Sequence, residues 1–151
     1  MTAPTINPAR PDDIEPLLDL ARQFHGEGGH ALGAKGEAAL RRIIAGEPLA
    51  RCWIMRRSGR PIGYLVVTLG FSIEYGGRDG VIDDLYLIET ERGGGLGAVL
   101  LEFAVTAVRE LGIGTLHLEV DPANEIANRL YRSRGFVETG RRLMRLQLAG
   151  A

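Results

Sequence analysis

The sequence predicts an α/β (α+β) fold built as one domain over residues 1–151. Three features predict it. Helical spacing of apolar residues governs the stretch up to Ala45; strand-like runs then follow one another from Ala50 to Ile88; beyond that, strand, helix, strand and helix alternate. The chain of 151 residues is long enough to bury a real core, and 45% hydrophobic with 25% charged residues excludes both a disordered tail and a membrane-embedded chain.

The first elements follow from local chemistry. Thr5-Ile6-Asn7, between Pro4 and Pro8, reads as a short strand. Asp12 or Asp13 can cap a helix carrying Ile14, Leu17, Leu18 and Ala21 on one face, ending near His25-Gly26. Gly28, Gly29 and Gly33 predict a loop, and a second helix runs roughly from Lys35 to Ala45, stopped by Gly46. Ala50 to Arg56 reads as a strand. Ser58-Gly59 signals a hairpin into a long apolar strand from Pro61 to Ser72. Ile73 to Asp79 is looser. Val81 to Ile88 is another strand, with two acids, Asp83 and Asp84, in its interior; buried acids are costly without partners.

Leu96 to Leu111 predicts a helix ended by Gly112, and Leu116, Leu118 and Val120 alternate as a strand with His117 and Glu119 opposite. Glu125 to Arg134 is a short helix ended by Gly135. Phe136-Val137 and Leu143 to Leu148 read as two closing strands, joined as a hairpin through Gly140.

Charge and cysteine content narrow the function classes. A formal net charge of −1 offers no broad attraction to nucleic acid or anionic lipid. The single cysteine, Cys52, allows no internal disulfide and no metal cluster; it reads as a buried strand residue, because nothing nearby marks a His partner. No apolar leader precedes Asp13, and no apolar run approaches ~20 residues. The expectation is a cytoplasmic protein with no metal, no membrane contact and no nucleic-acid partner.

Glycine is over-represented, at 21 residues. The densest run, Glu91-Arg92-Gly93-Gly94-Gly95-Leu96-Gly97-Ala98, follows a strand and enters a helix. Free N–H groups and the helix dipole favour an anion there, and glycines let phosphate reach the amides. Arg92 adds a charge, so a pyrophosphate is the natural guest. The nucleoside triphosphate loop needs Lys and Ser or Thr after its glycines, but Ala98 and Val99 stand there. A dinucleotide fingerprint belongs at a first strand, and this run lies mid-chain.

Arg92-x-x-Gly95-x-Gly97 resembles the acyl-CoA pyrophosphate loop of the GCN5-related N-acetyltransferase family. Asp121-x-x-Asn124-x-x-Ala127-x-x-x-Tyr131-x-x-x-Gly135-Phe136 resembles the family's second signature, and Asp83-Asp84-Leu85-Tyr86-Leu87 is similar to its preceding strand. The resemblance covers roughly residues 81 to 137. It implies a mixed, strongly twisted sheet with helices on both faces. It also implies a splay between two parallel strands, Val81 to Ile88 and Thr115 to Val120, with a bulge near Leu118 to Val120. Acetyl-CoA would enter the splay. Its pantetheine would meet Leu87 and Ile88, its pyrophosphate would rest on Arg92, Gly93, Gly94, Gly95, Leu96, Gly97 and Ala98, and Asn124 and Asn128 would flank the pantetheine or adenosine.

The activity so implied is acetyl transfer from acetyl-CoA to a primary amine by direct attack. It needs a deprotonated amine, a donor for the oxyanion and a proton for the leaving thiolate. The family's matching tyrosine makes Tyr131 the candidate acid; otherwise it packs its helix. Candidate bases are Asp84, Asp83, Glu119 and His117, with ordered water as an alternative. The acceptor pocket is expected from the loop Phe24-His25-Gly26-Glu27 and from Phe71-Ser72-Ile73-Glu74-Tyr75, both beside the splay; an acidic pocket suits a cationic small-molecule or protein amine. An edge strand at the C-terminus could pair in a homodimer. The alternative function is an acyl-CoA sensor without efficient transfer. A basic cluster, Arg129, Arg132, Arg134, Arg141, Arg142 and Arg145, is either a solvated face or a contact for the CoA 3′-phosphate.

Overall fold

The computed structural model describes residues 2–150, which fall into two compact units, residues 2–119 and 120–150. The first unit holds a five-stranded mixed sheet: β1 (Thr5–Pro8), β2 (Ala50–Arg57), β3 (Arg60–Ser72), β4 (Gly77–Leu87) and β5 (Thr115–Leu118). The strands lie in chain order; β1 to β4 pair antiparallel, and β5 joins β4 in parallel. Three helices belong to this unit: α1 (Ile14–Glu27), α2 (Gly33–Ile44) and α3 (Leu96–Glu110).

Strand alternation decides which helix covers which face. Ile54, Tyr64 and Tyr86 stand opposite one another across β2, β3 and β4, and Phe24 of α1 packs on Tyr64 and Tyr86 at ring distances of 6.4 and 5.4 Å. The next residues, Trp53, Leu65 and Leu85, face the other way, and Trp53 meets Phe103 of α3 edge-on at 5.9 Å. Helices therefore cover both faces. Leu17, Leu18, Ile54, Tyr64, Leu65, Leu100 and Leu101 form the fully buried centre.

Two irregularities in β4 shape the site. Its parallel pairing with β5 runs only from Asp79↔Thr115 to Ile82↔Leu118, while β4 continues to Leu87 against β3 alone. The predicted splay is thus a loss of β5 pairing after Ile82. The register between β3 and β4 also slips, from Val67↔Ile82 to Val66↔Asp84, leaving Asp83 as an extra residue. The bulge expected near Leu118 to Val120 lies instead at Asp83; β5 has already ended at Leu118.

The helix entry at α1 differs from the expected cap. A 3-10 turn, Pro11–Asp13, precedes α1, and Asp13 makes no capping bond with its side chain. Its carboxylate accepts the N–H of Arg10 at 2.8 Å and the guanidinium of Arg56. Burial alone would raise this carboxyl group; the Arg10 N–H and Arg56 outweigh it and hold it below the usual carboxylate range. Asp13→Ala should therefore cost about 2 kcal/mol in denaturant melts at pH 7. Because the folded-state value is lowered, that stabilisation is present above the ordinary carboxylate range. It should fade as pH falls through the lowered value.

The second unit contains α4 (Glu125–Ser133) followed by irregular chain. The two expected C-terminal strands are not formed: Phe136-Val137 and Leu143 to Leu148 join no ladder among the described residues. Gly140 does take the left-handed conformation of a turn, at φ 75°, and Thr139 Oγ1 accepts the Arg141 N–H. Alternation suits a pleated, half-buried surface, and here Val137, Leu143, Met144 and Leu146 remain exposed without one. No helix among the described residues is long and apolar enough to cross a membrane.

Candidate active site

The site is built where β4 outruns β5. Immediately after β4 a 3-10 turn, Glu89–Glu91, redirects the chain into the glycine run. Arg57 of β2 holds that turn through Glu91 at 2.6 Å, a largely buried pair. Gly93 and Gly95 then take left-handed conformations, at φ 85° and 86°, and Gly95 caps α3 with no side-chain bond. The first helical hydrogen bond runs from Val99 N–H to the Gly95 carbonyl at 3.2 Å. The N–H groups of Leu96, Gly97 and Ala98 therefore precede the helical ladder and meet no protein acceptor among the described residues. At Gly93, Gly94 and Gly95 the place of a Cβ has nothing within 4 Å. An anion can approach these amides without displacing a side chain, so the segment fits a diphosphate.

Arg92 is held in the protein itself. Its Nη2 contacts both oxygens of Glu27 at 2.9 and 2.8 Å, its Nε donates to the Leu87 carbonyl at 2.9 Å, and its guanidinium lies 5.4 Å from the centre of the Tyr86 ring. Glu27 raises the Arg92 value further, through its hydrogen bond and then its charge. Glu27, expected in the acceptor pocket, is thus the partner of the loop arginine. Of the backbone expected to meet pantetheine, the Leu87 carbonyl serves Arg92, and the Ile88 N–H donates to Ile62 at 2.9 Å.

Phe24, His25 and Glu27 were expected on a loop; they form the last turn of α1. There they lie over the free end of β4. His25 Nε2 is 3.0 Å from Asp84 Oδ2, and the Tyr64 hydroxyl donates to the same oxygen at 2.6 Å. Burial, then the Asp84 charge, pushes the Tyr64 phenol far above its usual range, so it acts as a donor. Asp83, displaced by the bulge, is solvent-accessible, yet its carboxyl group is raised by desolvation and then by Asp84, with Glu119 adding to the rise and His25 opposing it. Three acids thus give this end of the cleft a negative field.

The other expected acceptor segment is elsewhere. Phe71 pairs with Arg78 at the far end of the β3–β4 hairpin. From Arg78 to Asp84 the strand covers roughly 20 Å at about 3.3 Å per residue. Phe71 and Ile73 are 81% and 98% exposed, Ser72 and Glu74 belong to the same tip, and Tyr75 packs on His117 at 5.0 Å. Phe71, Glu74 and Tyr75 therefore do not adjoin Asp84, and His117 faces Tyr75 rather than the acids.

In the second unit, Tyr131 lies on α4 and meets Phe136 edge-on at 5.9 Å; burial raises its phenol above the usual value. Asn124 caps α4 by accepting the Ala127 N–H at 3.1 Å, and Asn128 donates to the carbonyls of Asp121 and Asn124 at 2.9 and 2.8 Å. Both asparagines build the entry to α4. Asn128 also lines an open groove with Arg129 and Arg132.

Cys52, opposite Val66 on the Asp84 side of the sheet, is buried. Burial, then the charges of Asp84 and Asp13, pushes its thiol up to about 12. The native thiolate population is then lower by about three orders of magnitude than for a free thiol. Iodoacetamide at pH 8 should label Cys52 at least ~100-fold more slowly in native protein than in urea.

Comparison with known proteins decides the family. The sequence model of the acetyltransferase (GNAT) family matches residues 15–136. The chain belongs to the acetyltransferase (GNAT) family. Over 87 residues it is 34% identical to mycothiol acetyltransferase of Thermobispora bispora; the match covers 56% of this chain and 29% of that protein. An integron cassette protein from the mobile metagenome of Cole Harbour Salt Marsh superposes with a TM-score of 0.83 at 33% identity, over 97% of this chain and 91% of that one. A predicted acetyltransferase solved with acetyl-CoA, from Clostridium acetobutylicum, superposes with a TM-score of 0.78 at 20% identity, over 95% and 96% of the two chains. The mixed, splayed sheet with helices on both faces is thus a GNAT fold.

Proposed function

We propose that this GNAT protein transfers the acetyl group of acetyl-CoA to a primary amine by direct attack in a ternary complex. The observation that carries the reading is the entrance to α3: unpartnered N–H groups at Leu96, Gly97 and Ala98 beside three glycines whose surroundings are empty. Family membership supports an acyl-CoA donor. The residues that would hold it are the amides of Gly93 to Ala98 for the diphosphate and the unpaired edge of β4 for the pantetheine arm. Arg92 would turn from Glu27 to the diphosphate. Releasing Glu27 is inexpensive, because the Arg92–Glu27 pair is 44% and 43% exposed and such pairs contribute about 0.2–1 kcal/mol.

Asp83, Asp84 and Glu119 favour a cationic acceptor. When bound, acetyl-CoA supplies the activated acyl carbon; the chain supplies orientation, desolvation and proton movement. Tyr131 keeps its proton at neutral pH and is the proposed donor to the departing thiolate. The test is calorimetry with acetyl-CoA and CoA, followed by thiol release with spermidine, kanamycin, glycinamide and a peptide bearing a free α-amino group. Binding of both nucleotides, with thiol release and a product 42 Da heavier on one amine, is the expected result. Folded protein that binds neither nucleotide would overturn the reading.

A further inference from the structure

We propose that His25 is the general base that takes a proton from the acceptor's ammonium group, with Asp84 as the positioning residue that holds its ring. This rests on the acetyl-transfer reading above and assigns its base to a side chain 59 positions away from the acid that fixes it.

Asp84 Oδ2 receives two donors, the Tyr64 hydroxyl at 2.6 Å and His25 Nε2 at 3.0 Å. Tyr64 is fully buried, keeps its phenolic proton and donates it to that oxygen. The carboxylate is therefore an acceptor toward both partners. In the neutral imidazole this assigns the tautomer: Nε2 carries hydrogen toward Asp84, and Nδ1 keeps its lone pair. No protein group hydrogen-bonds Nδ1 among the described residues. Phe24 meets the ring edge-on at 5.1 Å and is itself fixed against Tyr64 and Tyr86. The ring is thus locked by packing and by a buried acceptor, as a proton acceptor for catalysis must be.

Access completes the case. The Asp84 side chain is 14% exposed and that of His25 is 33% exposed, so the acid is enclosed while the imidazole reaches solvent. A purely structural tie would serve equally well with both groups enclosed. Asp84 also lies on the stretch of β4 that β5 no longer covers.

In the step itself, one N–H bond of the ammonium breaks and its proton passes to His25 Nδ1, directly or through one water. The freed nitrogen pair forms the N–C bond at the thioester carbon. The C–S bond breaks with its pair on sulfur, and the second proton lost by nitrogen ends on the thiolate by way of Tyr131 or water. The imidazolium then returns the first proton to solvent.

The test combines spectroscopy with kinetics on the full chain. Long-range 1H–15N spectra of the wild type should show His25 with Nε2 protonated and Nδ1 unprotonated, and Asp84→Asn should lose that preference. With the fastest amine of the panel above, His25→Ala should lower kcat about 100-fold with the KM for acetyl-CoA within twofold. Added imidazole should restore at least tenfold of it. Asp84→Asn should lower kcat without restoration by imidazole, since the misheld ring still fills the site. The opposite tautomer, or a His25→Ala enzyme within threefold of wild type, overturns the assignment while leaving acetyl transfer intact; loss in Asp84→Asn alone makes Asp84 the base. Wild-type protein that binds acetyl-CoA and releases no thiol with any amine removes the proposal together with the transfer reading.

Discussion

Gly95→Val should weaken acetyl-CoA binding at least 100-fold, about 2.7 kcal/mol, while the protein stays folded. Gly95 stands at φ 86° immediately before the first turn of α3, where a β-branched residue is strained by about 1–3 kcal/mol. The strain falls on the loop, because a Cβ there meets nothing within 4 Å. Two effects then act together on binding: relaxation of the loop turns the amides away, and the valine methyls cover them. Gly95→Ala separates the two. It carries the φ penalty with little cover, so its melting temperature should fall much as that of Gly95→Val, with a smaller loss of affinity. Calorimetry beside thermal melts reads both quantities. Equal affinity in wild type and Gly95→Val would mean that the diphosphate binds elsewhere.

Tyr131→Phe should lower kcat about 100-fold at pH 7 with little change in the KM for acetyl-CoA. Removing one hydroxyl keeps the ring contact with Phe136, so the melting temperature should move by less than a few degrees. The phenol is raised by burial and stays protonated through the neutral range, so the wild-type rate limb that reports it should lie above the ordinary phenol value. That limb should vanish in Tyr131→Phe. Unchanged turnover across pH would leave Tyr131 as a packing residue of α4.

What the sequence shows of the fold and of the site divides along physical lines. The glycine run was legible because its chemistry is local: backbone freedom at Gly93 and Gly95 and a helix start at Leu96 are properties of adjacent residues. The splay was legible only through resemblance. The bulge at Asp83 was not, since a bulge belongs to the register of two strands and not to either sequence. His25 and Asp84 were each picked out, in different roles; nothing in a sequence joins a residue at the end of one helix to an acid in a distant strand. The pairing of Glu27 with Arg92 is hidden for the same reason, since it spans 65 positions, and the sequence alone points Glu27 at the amine. The C-terminal alternation predicts strands on pattern alone, and a pattern does not supply the neighbour a ladder requires.

The extra residue at Asp83 changes the phase of β4: Ile82 and Asp84, two positions apart, pair with Val67 and Val66 and so stand on opposite sides of the sheet. Removing that one residue would make them neighbours in a regular ladder, each keeping its partner and its side. Asp84 would still meet Tyr64, and the loss would be confined to the exposed carboxylate at position 83. The strand should therefore tolerate a shortening at this point, whereas one more residue inserted beside it would have no partner to oppose.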